Sequence, residues 1–107
     1  MKPRLFLSSP TMNGQEMAYI KEAFDTNWVA PLGANVNGFE EEMSAYLGEG
    51  MYGAALSAGT AAIHLALVEA GVGRDDIVFC STLTFSGSSN PITYVGAKPA
   101  FIDSEEE

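Results

Sequence analysis

At 107 residues, the chain has room for one modest domain, about 65% of whose unfolded surface would be buried if it folds alone. Apolar residues make up 47% of it, which excludes a disordered chain. Fourteen acidic residues against five basic ones give a formal net charge of -9, and without a Lys/Arg cluster to neutralise phosphates the chain is not expected to bind nucleic acid.

The opening "MKPRLFLSSP" has two cations but a three-residue apolar stretch, too short for a secretory signal. Together with a single cysteine, Cys80, which permits no internal disulfide, this suggests a cytoplasmic chain. Asn13 followed by Glu16 has the spacing of a capping box, so a helix is expected over residues 14–25, with Met17, Ile20 and Phe24 as its buried stripe and Lys21 on the flank. "TNWVAPLGANVNG" then breaks the periodicity and reads as a loop. Asn37 and Glu40 repeat the capping spacing, with three consecutive glutamates favoured by the dipole at the start of a second helix and Gly48 as its stop. Phe39, Met43, Tyr46 and Leu47 are expected to face inward.

Residues 51–68 carry no formal charge, a length that could suggest a membrane span. Gly53, Ser57, Gly59, Thr60 and His64 interrupt the run, each glycine weakening a continuous helix by about 1 kcal/mol. A strand over 51–56 followed by a helix over 59–70, ended by Gly71, fits better, and no membrane partner is expected. Residues 77–80 read as a second strand, Thr84 or Ser86 as a cap for a helix reaching toward Tyr94, and 99–103 as a third strand. Pro91 counts against the last helix, at about 3 kcal/mol. The succession β-α-β-α-β after two helices points to a single α/β domain with parallel strands.

A helix that starts directly after a parallel strand aims its free N–H groups and positive dipole end at the carboxyl edge of the sheet, where anions bind. Ser57, Gly59 and Thr60 are small enough there to let a phosphate touch backbone and carry two hydroxyls besides; equally, they could only make the turn and cap the helix. No Gly-Lys-Ser/Thr follows, so this is not a P-loop, and one glycine is too few for a dinucleotide fingerprint. His64 and Cys80 read as packing residues, 40–42 as a solvated first turn, and 103–107 as a strand end running into solvent, with no metal site among them.

"NWVAPLGANVNGFEEEMSAYLG", "LSAGTAAIHLAL" and "STLTFSGSSNPITYVGAKPAFID", in register over the whole chain, resemble the start of the nucleotide-sugar aminotransferases of the DegT/StrS group. The resemblance implies pyridoxal 5'-phosphate as cofactor and the amino-terminal part of the large three-layer α/β/α domain of fold type I. It implies a nucleotide-sugar substrate, with the subgroup that aminates C4 of a UDP-4-keto-6-deoxy-amino sugar the nearest in pattern, an amino donor such as glutamate, and a homodimer. By the same resemblance Ser57, Gly59 and Thr60 hold the cofactor phosphate and Phe85 lies against the pyridine ring. Asn27, Trp28, Val29 and Ala30 fall on the loop used at the sugar-nucleotide site. The Schiff-base lysine required by the family has no counterpart in Lys2, Lys21 or Lys98 and is expected in later sequence, as is the aspartate that pairs with the pyridine nitrogen. The expectation is therefore an amino-terminal portion of an enzyme, inactive alone. The competing expectation is a non-catalytic small α/β protein with at most a phosphate-binding turn.

Overall fold

The structure is a computed structural model that describes residues 9–105. Lys2 and the last two glutamates of the terminal acidic run lie outside the described residues. The chain divides into two compact units between Ala55 and Leu56.

In the first unit, α1 (Glu16–Asp25) begins two residues later than expected, with Gln15 rather than Asn13 at its N-cap position and no side-chain cap. The Asn13 side chain accepts from the Gln15 N–H at 2.9 Å, and the Glu16 carboxylate accepts from the Asn13 and Gly14 N–H groups at 2.7 and 2.9 Å. Amides that the helix itself cannot pair are thereby satisfied. Hydrogen bonds from backbone N–H groups, that of Asn13 foremost and then those of Glu16 itself and Gly14, hold the Glu16 carboxyl below its ordinary value. At the other end Asn27 turns into the left-handed region at φ 59°. Its N–H donates to the Phe24 carbonyl at 3.1 Å and that of Trp28 to the Ala23 carbonyl at 2.8 Å. This is a Schellman closure, with Asn in the position usually given to Gly because its short polar side chain tolerates the conformation. Lys21 pairs with Asp25 one turn away on the exposed face.

Helix α2 (Ala34–Leu47) begins a turn earlier than expected. Gly33, at φ 133°, precedes it with no side-chain cap, and its Cα faces the Trp28 ring so closely that an added Cβ would lie 3.4 Å from it. Asn37 is therefore not the cap: its N–H donates to the Gly33 carbonyl at 3.0 Å from within the helix. The three glutamates stand in mid-helix, and Glu40 is half-buried with its Oε1 accepting from the Ala55 N–H at 2.8 Å. Ser44 Oγ likewise accepts from the Gly53 N–H at 2.7 Å. These side chains hold residues 51–56, but that segment is not the strand expected of it. A strand is defined by its neighbour, and none pairs with it among the described residues.

The stripes Met17, Ile20, Phe24 and Phe39, Met43, Tyr46, Leu47 are all exposed rather than inward. Apolar periodicity marks the face a helix must cover. It does not supply the cover.

In the second unit, α3 (Gly59–Glu69), β1 (Ile77–Ser81), α4 (Ser86–Tyr94) and β2 (Lys98–Ile102) follow in order. β1 and β2 pair in parallel, Ile77 opposite Lys98 and Ser81 opposite Ile102. Gly71 and Gly96, both at positive φ, close α3 and α4 as Schellman turns, with Val72 N–H to the Leu67 carbonyl at 3.0 Å and Ala97 N–H to the Ile92 carbonyl at 3.1 Å. Helix α4 runs through Pro91, which is fully buried beside Ile92. The proline removes a bond that would have ended on Gly87, and burial of its ring in the one apolar centre of the unit offsets that loss. His64 is half-buried with its ring edge-on to Tyr94, centroids 5.5 Å apart. Cys80 is a half-buried free thiol.

Only Ile92 and Ala97 are buried among the apolar residues described, apart from Pro91. Ile77, Phe79 and Ile102 leave one face of the two-stranded sheet bare, at 63%, 72% and 52% exposure. So small a core cannot balance the entropy of ordering the chain. The isolated chain is expected to aggregate or to lose its circular dichroism gradually on heating; a sharp melting transition of a soluble monomer would contradict this. A second expectation concerns Glu16. Its lowered carboxyl contributes stability fully above the ordinary glutamate value of about 4.3, and loses it as pH falls through the lower folded value. Proton-exchange protection of the Asn13 and Gly14 amides should fade in that acid window, and Glu16→Gln should remove the pH dependence.

Candidate functional site

The carboxyl edge of the parallel pair and the amino ends of α3 and α4 form the most distinctive part of the second unit. Ala58, in extended backbone, precedes α3 and accepts from the Ala61 and Ala62 N–H groups at 3.0 and 3.2 Å. Among the described residues, no acceptor meets the Gly59 or Thr60 N–H. These are two of the four amides every α-helix leaves open at its start, and with the helix dipole they favour an anion. Ser57 is exposed just before them and Thr60 is half-buried. A Cβ on Gly59 would meet nothing within 4 Å. Thr60 is not the cap of its own helix, since no side chain caps α3.

Phe85 precedes α4 in extended backbone, and the residue is 79% exposed. Between it and Thr60 lies Gly87, which is buried. A Cβ there would fall 2.5 Å from Thr60 Oγ1 and 2.8 Å from two atoms of the Phe85 ring. The hydroxyl of one helix start and the aromatic ring of the other thus converge on a residue that has no side chain. Sequence reasoning singled out Thr60 and Phe85 and missed Gly87; the small-residue run "SGSS" was its only signal.

The arrangement fits an aromatic phosphate ester. Open N–H groups, two hydroxyls and a helix start can take a phosphate, and an exposed ring nearby can take a planar heterocycle. Among the described residues, neither lysine completes it. Lys98 opens β2 at its amino end, some four residues and about 13 Å of strand from the carboxyl edge, and Lys21 is paired with Asp25 in the other unit. No group of three or more His, Cys, Asp or Glu residues able to hold a metal ion occurs among the described residues. Nor is any helix there long and apolar enough to cross a membrane.

In the first unit, Trp28 and Ala30 line a concavity of about 200 Å³ with Leu32, Gly33 and Asn35. Asn27 and Val29 are not part of that lining. The left-handed backbone of Asn27 closes α1, and Val29 is 66% exposed.

Residues 10–107 match the family model of the DegT/DnrJ/EryC1/StrS aminotransferases. The chain is 50% identical over 107 residues to a Bacillus subtilis (strain 168) protein named as a pyridoxal phosphate-dependent aminotransferase, EpsN, covering 100% of this chain and 27% of that protein. It is 37% identical over 103 residues to the GDP-perosamine synthase of Caulobacter vibrioides, covering 96% of this chain and 28% of that one. Its fold superimposes on the pyridoxal-phosphate form of Spr1654, a Streptococcus pneumoniae protein named as a sugar aminotransferase, with TM-score 0.77 and 26% identity over 96% of this chain and 26% of that one. The chain therefore spans about a quarter of the length of these relatives, and its helices and small parallel sheet are the corresponding part of a fold type I α/β architecture.

Proposed function

This chain belongs to the DegT/DnrJ/EryC1/StrS aminotransferase family, and we propose that it forms the part of a pyridoxal-phosphate-dependent enzyme that grips the cofactor phosphate and one face of its ring. The enzyme transfers an amino group to a keto sugar carried on a nucleotide. The observation that carries this reading is the convergence of Thr60 Oγ1 and the Phe85 ring at Gly87, beside the open N–H groups of α3.

Pyridoxal phosphate, when bound, supplies the reversible storage of the amino group between donor and sugar. The chain's own residues bind and orient it. The Gly59 and Thr60 N–H groups, the Ser57 and Thr60 hydroxyls and the amino end of α3 share the phosphate charge without any cation. Phe85 lies against the ring, an offset contact contributing about 0.5–1.5 kcal/mol beyond burial. Residues 27–30 serve the sugar nucleotide, for which the concavity beside Trp28 and Ala30 provides an apolar wall. Glutamate is the amino donor, the working form is a cytoplasmic homodimer, and neither nucleic acid nor membrane is a partner. The sugar is a 4-keto-6-deoxy-amino sugar on UDP, whereas the second relative named above makes a GDP-linked product. The alternative, a non-catalytic α/β protein with only a phosphate-binding turn, draws support from the position of Lys98 at the far end of β2. In that case nothing is transaminated.

The test joins this chain, in full, to the length of the EpsN relative that it does not match. Thr60→Val should weaken pyridoxal phosphate binding by about 1–3 kcal/mol through loss of a charge-assisted hydrogen bond. Phe85→Ala should move the cofactor's visible absorption more than it moves unfolding of the cofactor-free protein. Unchanged affinity and spectrum in both variants would overturn the assignment. Offering UDP- and GDP-linked keto sugars with glutamate separates the two nucleotides, and the unjoined 107-residue chain should aminate neither.

A further inference from the structure

The ladder between β1 and β2 continues one step past the strands. Thr82 N–H donates to the Ile102 carbonyl at 3.0 Å, and Thr82 Oγ1 donates across to Asp103 Oδ1 at 2.9 Å. The same carboxylate oxygen accepts from the Ser104 N–H at 3.0 Å, so it is held by its own backbone while it holds Thr82. An ionised carboxylate only accepts, which fixes the threonine hydroxyl as donor.

Thr82 starts the short loop from β1 to α4, and Phe85 ends it. At the far end the hydroxyls of Thr84 and Ser88 are 2.9 Å apart, and the Ser88 N–H donates to the Phe85 carbonyl at 2.9 Å. Leu83, 70% exposed, is the one residue between the two anchors. In so short a loop, the Thr82 side-chain tie, added to its backbone bond to Ile102, limits how far the ring can shift. The tolerance is small, because the Phe85 ring already lies against Gly87 with no room for a Cβ between them.

We propose that Asp103 is a positioning residue for the cofactor ring: through Thr82 it fixes the near end of the loop that presents Phe85. This rests on the reading of Phe85 given above. The effect of Asp103 passes through Thr82 and the loop that Thr82 starts.

The experiment uses the same joined polypeptide. Asp103→Ala should weaken pyridoxal phosphate binding by about threefold to tenfold and shift the visible band in the direction that Phe85→Ala shifts it. Asp103→Asn keeps an oxygen acceptor for Thr82 and should restore both. In a Phe85→Ala background, Asp103→Ala should add nothing further, since the two act as one unit. Unaltered affinity and band in Asp103→Ala, or an equal loss whether or not Phe85 is present, would overturn the proposal. Hydrogen exchange of the cofactor-free protein tests the same tie independently. Exchange over residues 82–88 should rise in Asp103→Ala and not in Asp103→Asn, and an unchanged pattern would also overturn it. If the parent polypeptide took up no cofactor at all, the assignment of the site would fail, while the exchange pattern would still decide whether Asp103 holds the loop.

Discussion

The missing side chain of Gly87 is the constraint on which the carboxyl edge of the sheet depends. Two helices can start side by side only if something at their contact is small, and here the contact is a bare Cα facing a β-branched hydroxyl and an aromatic ring. Thr60 has little freedom to yield, because branching at Cβ restricts its rotamers. With Gly87 buried and Pro91 and Ile92 below it, α4 sits on the sheet at one depth. The depth of α4 in turn sets how far Phe85 stands out. Helix packing and the presentation of the Phe85 ring are thus the same contact seen from two sides.

What the sequence made legible was whatever is decided locally. The Asn13–Glu16 pair, the glycine stop of α3 and the limits of β1 and β2 rest on residues within a few positions of one another, and they match within one or two residues. The start of α2 was misread because two signals competed. Asn37–Glu40 had the spacing of a cap, but the left-handed Gly33 packed against Trp28 opens the helix earlier and frees Glu40 to bond elsewhere. Residues 51–56 have strand composition and lack a strand's partner, which composition does not reveal. At the start of α3, a small-residue break between an apolar run and a helix singles out Ser57, Gly59 and Thr60, where among the described residues the Gly59 and Thr60 N–H groups meet no acceptor. Gly87 escapes a sequence reading because its place is decided by the contact between α3 and α4, and Asp103 reads as a strand end running into solvent because its bond to Thr82 depends on the register of β1 against β2.

The exposed apolar surface has the same origin as the missing strand partner. Parallel sheets are stable when helices cover both faces. Here α4 covers one face of β1 and β2, and Ile77, Phe79 and Ile102 look out from the other. The helices of the first unit carry stripes of the right period and hide none of them. A chain that matches about a quarter of its relatives' length, yet is 47% apolar, carries the pattern of a large layered domain in a portion too small to close the layers.

Strand direction also decides which side chains reach the carboxyl edge. Phosphate binding at a helix start needs only a turn, open amides and the dipole, all of which a short β-to-α connection supplies by itself. A lysine side chain, by contrast, acts at that edge only where strand direction brings it there. Lys98 lies in β2, whose carboxyl end carries Asp103 beside the site, but it occupies the opposite end of that strand. No side-chain rotation spans a strand of that length. Parallel topology therefore keeps Lys98 at the amino end of β2, away from the loop at the other end that carries Phe85.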